Sequence, residues 1–199
     1  MAMSRRLKQL TTRLSFLENN ILPSERVDGN YTKKEQDLIR SFVLLTHAEI
    51  EAYLEDVAKT RVTKSLSDWN SSRVKSNCIK SVVSFVGHDL KFENDLNSNN
   101  IQYRVNKTVA HYMSAVVDKN HGIKEKNILK VLLPLGIEIN ELDQTWLSVM
   151  ESFGSTRGLI AHSSFNVQTS IDRNTELNRI KNQILPELTN INALIKKLK

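Results

Sequence analysis

The chain has 199 residues, 28 Lys+Arg against 22 Asp+Glu for a net charge of +6, one Cys, 6 Gly, 3 Pro and 40% apolar residues. A single Cys excludes a disulfide scaffold and any Cys-based zinc cluster. The apolar fraction excludes a disordered chain, and so few Gly and Pro exclude collagen-like or low-complexity architecture. No apolar stretch follows the charges of Met1 to Lys8, and no run approaches the ~20 apolar residues of a membrane span. A soluble, cytoplasmic protein without a membrane is expected. The positive balance suits an anionic partner, of which nucleic acid is the commonest.

Apolar residues recur at three and four rather than at two, the spacing of helices. Leu7, Leu10, Leu14 and Leu17 form the first stripe, ending near Asn19 and Asn20, with Pro23 and Gly29 marking the loop beyond. Thr32 and Glu35 have the spacing of a capping box. They open a long helix through Leu38, Phe42, Leu45, Ile50, Leu54 and Val57 to about Arg61, on the order of 30 residues. A third helix carries Val74, Cys78, Ile79, Val82, Val83 and Val86 and ends near Gly87. After the polar turn Asn97 to Asn100, a fourth runs from Ile101 to about Asp118. A short helix from Lys124 to Leu133 stops at Pro134 and Gly136. Asn140 is the expected cap of the next, which carries Leu142, Trp146, Val149, Met150 and Phe153. Beyond the polar stretch Ser163 to Ser170, a last helix spans Asp172 to Leu198, with a kink expected at Pro186. The pattern predicts an all-α bundle of about six or seven helices. Residues 1–30 form an N-terminal helix and loop and 31–199 the main helical domain, in one compact whole.

Charge is uneven. Residues 57–91 hold seven basic and two acidic side chains, and residues 41–56 hold four acidic and no basic ones. Each run reads as a solvated helix face, or the basic one as a rim around an anionic ligand.

None of the common phosphate-loop, dinucleotide, zinc-protease or nucleophile-elbow motifs is present. His47 and Glu51 share a helix face at a spacing compatible with metal ligation, yet the paired Glu-x-x-His motifs of a di-metal bundle are missing. His88 and His121 sit beside Gly at helix ends, where a dipole contact explains them. His111 and Cys78 read as core or boundary residues, and Tyr103 with Arg104 as a helix-surface pair that could stack on a base.

Arg157 and His162 remain, five apart near the end of a helix. On an unbroken helix five residues rotate by about 140°, so convergence requires the helix to fray or end near Gly158. A guanidinium grips a phosphate bidentately, and an imidazole moves protons near neutrality. Together they suit phosphodiester cleavage without metal, with a ribose 2′-OH as nucleophile.

The segment Thr156 to Ser163 resembles the R-x4-6-H signature of HEPN domains, all-α domains common among prokaryotic RNase toxins and antiviral effectors. Val43 to Leu54 resembles the long apolar helix of the RiboL-PSP-type subgroup. Lys126 to Leu129 and Leu135 to Ile137 sit where that subgroup has its short segment before the motif helix. The likeness runs from about the second helix to the end.

It implies a cofactor-free, metal-independent endoribonuclease acting as a symmetric dimer, with the Arg/His pairs of both protomers facing across a cleft. Arg157 would stabilise the phosphorane, and His162 would transfer a proton or orient the 2′-OH. Glu51 would hold Arg157 in position. RNA, a second copy and an antitoxin or regulatory protein are the implied partners, and products would end in 2′,3′-cyclic phosphate and 5′-OH.

Gly158 stands where active members often carry Asn or Asp, and Ser164 where members modified by an adenylyltransferase antitoxin carry Tyr. Two alternatives therefore stand beside the ribonuclease. One is a catalytically inactive HEPN module binding RNA, a nucleotide or a protein. The other is a helical interaction protein with a chance motif.

Overall fold

A computed structural model describes residues 3–90, 100–162 and 170–198, and of His162 the backbone only. The expected turn at Asn97 to Asn99, Ser164, and the polar stretch up to Thr169 lie outside the described residues. Among those described there is no strand, so the chain is all-α, as the spacing predicts. It builds two compact units: Met1–Tyr53 with Gly122–Glu125 and Asp143–Ile191, and Leu54–His121 with Lys126–Leu142 and Asn192–Lys199.

In the first unit, α1 (Arg5–Asn20) is capped by Ser4, whose side chain accepts from the Leu7 N–H, and buries the expected Leu7, Leu10, Leu14 and Leu17. Helix α2 (Lys33–Ser72) begins at the predicted capping box. The Thr32 N–H donates to the Glu35 carboxylate at 2.8 Å, and the Glu35 N–H to Thr32 Oγ1 at 3.3 Å. Helix α6 (Gln144–His162) adds Trp146, Leu147, Met150 and Phe153 to this core.

The cap of α6 is Asp143, not Asn140: Asp143 Oδ1 accepts from the N–H groups of Thr145 (2.7 Å) and Trp146 (3.2 Å). Asn140 sits in a separate 3-10 turn (Ile139–Glu141) closed by its own capping box between Glu138 and Glu141, and Leu142 is extended and buried. Asp143→Ala is therefore expected to lower stability by about 1 kcal/mol, and Asn140→Ala to leave it nearly unchanged, in paired urea titrations.

The C-terminal helix begins at α7 (Arg173–Asn178), with Asp172 accepting from the Thr175 N–H. It widens into a π-turn over Arg179–Ile184 and continues as α8 (Leu185–Lys197). The π-turn directly precedes Pro186, whose ring would otherwise press on the carbonyl one turn back, so the missing hydrogen bond is absorbed by winding. Glu176 rather than Leu177 is buried here, its carboxylate 3.1 Å from Arg179 Nη1; burial raises its pKa against the pull of that guanidinium.

In the second unit, α2 continues past Arg61, the end that the apolar pattern predicts, for 40 residues in all. Val62, Ser65 and Trp69 keep its buried face going, and Arg73 ends it in the left-handed region (φ 55). Helix α3 (Asn77–Val86) starts at a Ser76 cap, leaving Val74 outside and Val83 exposed. Helix α4 (Ile101–His111) is capped by Asn100 and extends as a π-turn to Val117. Helix α5 (Glu125–Leu132) leads into a 3-10 turn over Leu133–Leu135. Gly136 closes it at φ 97, where an added Cβ would also touch Ser81 and Asn77. The Tyr112 hydroxyl donates to the Val131 carbonyl at 2.7 Å, tying α4 to α5. No helix among the described residues is long and apolar enough to cross a membrane.

Candidate functional site

Arg157 lies in the last turns of α6, half-buried. The helix does not end or fray at Gly158; it runs through to His162. The two residues are therefore set about 140° apart around one axis, and the backbone alone does not bring them onto one face. A Cβ at Gly158 would meet nothing within 4 Å, so the space at this position is open.

Arg157 acts electrostatically on a buried histidine of α2. Four residues before it on the same helix face, the buried Phe153 packs its ring against His47 of α2, with centroids 6.2 Å apart. His47 is 2% exposed. Burial, with the Arg157 guanidinium as a second cause, pushes its pKa down to about 4. Both effects disfavour the imidazolium, and they prevail over the Glu51 carboxylate, whose Oε2 faces His47 Nδ1 at 3.6 Å. His47 is thus neutral at physiological pH, with one ring nitrogen able to accept a hydrogen bond.

Glu51 stands one turn along α2 and faces His47 rather than Arg157. Its Oε1 accepts from the Gly122 N–H. The segment carrying Gly122 is also fixed on α6: the Glu125 N–H donates to Glu151 Oε2 at 3.2 Å, and Lys124 pairs with Glu151 Oε1 at 3.4 Å. Gly154 lets Lys124 lie against the helix, since a Cβ there would come within 2.8 Å of Lys124 Cγ. Helix α2 and this short segment, itself fixed on α6, hold the His47–Glu51 pair in place.

If the guanidinium contributes to the depressed pKa, Arg157→Ala is expected to move the His47 titration upward from about 4 toward its ordinary value. Proton NMR of the ring across pH 3 to 8 reads this. The depressed value also means that the unfolded chain binds the proton first. Stability is therefore full above about pH 6.5 and falls as pH drops toward 4.

The other sequence candidates stand apart from this cluster's contacts. His88 is exposed and pairs with Asp89 at 3.1 Å. His121 is exposed, and its carbonyl accepts from Asn127 at 3.5 Å. Cys78 is buried, which raises its thiol pKa. Tyr103 and Arg104 are on the surface of α4, with Lys107 lying 5.6 Å over the Tyr103 ring. Among the described residues no three His, Cys, Asp or Glu are gathered as a metal site. The sequence pairs His47 with Glu51 by spacing and relates Glu51 to Arg157, but nothing in it relates His47 to Arg157.

The model of the RiboL-PSP-HEPN family matches residues 5–196, nearly the whole chain and including α1. The chain belongs to the RiboL-PSP-HEPN family. No curated protein and no solved structure matches it. RiboL-PSP-HEPN membership is consistent with ribonuclease or nucleotide-binding function. Arg157 and His162, the motif residues expected from the sequence, both lie in the last turns of α6.

Proposed function

We infer that this HEPN domain is a metal-independent endoribonuclease, acting as a symmetric dimer in the cytoplasm as a toxin or antiviral effector. The observation that carries the reading is a family match over residues 5–196 together with an intact Arg157/His162 pair. In the reaction the 2′-oxygen attacks phosphorus, its proton leaves, the P–O5′ bond breaks and the 5′-oxygen takes up a proton. Arg157 supplies bidentate donors to the phosphate as charge grows on it. His162 moves or orients the 2′-OH proton. One imidazole per chain does not readily serve as both base and acid, and on an unbroken helix positions 157 and 162 are set about 140° apart. A second copy across a two-fold axis answers both needs. Glu51 acts on Arg157 indirectly, by fixing His47. An antitoxin or regulatory protein would restrain such an activity.

Gly158 favours a second reading, a module that binds RNA or a nucleotide without cleaving it, because it leaves the motif one hydrogen-bonding group short. The test is pure protein incubated with RNA in EDTA. Fragments ending in 2′,3′-cyclic phosphate and 5′-OH are expected. Intact RNA that nevertheless binds the protein would favour the second reading.

A further inference from the structure

Helix α1 buries one face in leucines and turns the opposite one outward. Along that outer face Arg5, Lys8, Gln9, Thr12, Arg13 and Phe16 line an open groove of about 500 Å³. Their spacing, alternating three and one, keeps them in one stripe about 16 Å long. The sequence of α1 carries Arg5, Arg6, Lys8 and Arg13 with no acidic residue before Glu18; Glu18 is paired with Lys181 at 2.6 Å, and Arg13 with Glu49 of α2 at 2.9 Å. Three of these cations lie in the first turn, which holds no acidic residue. Cations at the positive end of the helix dipole oppose the helix's own electrostatics, and a bound anion relieves that strain.

The stripe ends on an aromatic. Phe16 is 50% exposed, and the Arg13 guanidinium stands 5.2 Å from its ring centroid. Glu49 holds Arg13 by its Nε at 2.9 Å, which fixes the guanidinium over the ring. Cations in a row with an adjoining exposed ring match a sugar–phosphate strand that offers both phosphates and unstacked bases. A bare acidic protein surface would use the charges and leave Phe16 unexplained.

We propose that the outer face of α1 is a binding strip for single-stranded RNA, with Arg5, Lys8 and Arg13 on the phosphates and Phe16 as a stacking platform for one base. This rests on the reading of the chain as acting on RNA, and it adds a place where the strand is held away from the bond that is cut.

The test uses the full chain and a labelled 2′-O-methyl RNA oligonucleotide, which lacks the attacking hydroxyl, so that binding is read by fluorescence anisotropy without cleavage. Arg5→Gln with Lys8→Gln is expected to weaken binding about tenfold and to reduce the slope of log affinity against log salt by about 1.4. Phe16→Ala is expected to weaken it by a similar factor with the slope unchanged. Cleavage of a dinucleotide, too short to span the strip, should be the same in all variants. Unchanged oligonucleotide affinity in both variants overturns the proposal, and so does a wild-type chain that does not bind the oligonucleotide. A shift from dimer to monomer in the variants by light scattering overturns it too, since α1 would then serve a second copy. Wild-type protein that binds but never cleaves natural RNA refutes the ribonuclease reading and leaves the strip standing.

Discussion

Arg157→Ala is expected to slow RNA cleavage by about 100- to 1,000-fold, the size of effect seen when a principal donor to a developing oxyanion is removed. The loss should fall on the rate at saturating RNA, because the guanidinium matters most when the phosphate gathers charge. Arg157→Lys keeps a charge but loses the planar fork, and a partial loss of roughly tenfold is expected. Circular dichroism should show both variants folded, since Arg157 is only half-buried and lies outside the hydrophobic core. Undiminished cleavage by Arg157→Ala would remove this residue from the chemistry.

Phe153→Ala should cost about 3–5 kcal/mol, a large share of the stability of a domain this size. Phe153 is fully buried, and its ring is the surface against which His47 packs. Truncation leaves a cavity beside the imidazole and opens it to solvent. The urea midpoint should fall with little change in slope, and the His47 titration should rise as its desolvation is relieved. Phe153→Leu, which nearly fills the space, should cost no more than about 1.5 kcal/mol. An unchanged midpoint in the Ala variant would mean that this part of the core is not packed as described.

The sequence shows most of the helices and little of what surrounds the motif. The leucine stripe of α1 and the Thr32–Glu35 box are local patterns, and each appears as expected. The second half of α2 was hidden because Ser65, a polar residue, occupies a fully buried position between Val62 and Trp69 and breaks the apolar rhythm. Asn140 and Asp143 are both good cap residues, and the choice is visible only in the structure, where Asp143 accepts from Thr145 and Trp146 while Asn140 lies inside a separate 3-10 turn. His47 and Arg157 are 110 positions apart, so their proximity is a tertiary fact that periodicity cannot carry. Gly158 is a place where a helix can end, but a helix interior tolerates one glycine at about 1 kcal/mol, and α6 continues through it. In the proposed mechanism, that continuation is the reason a second protomer is invoked.

The measurement closest to the central claim is a mixed dimer made from Arg157→Ala and His162→Ala chains, assayed on RNA in EDTA beside the wild type. Each variant alone should be nearly inactive. Mixed dimers should recover a readily measured part of wild-type cleavage, because the shared cleft then holds Arg157 from one chain and His162 from the other. Mixed dimers verified by native mass spectrometry that remain as inactive as either parent, while the wild type cleaves, would contradict the shared site.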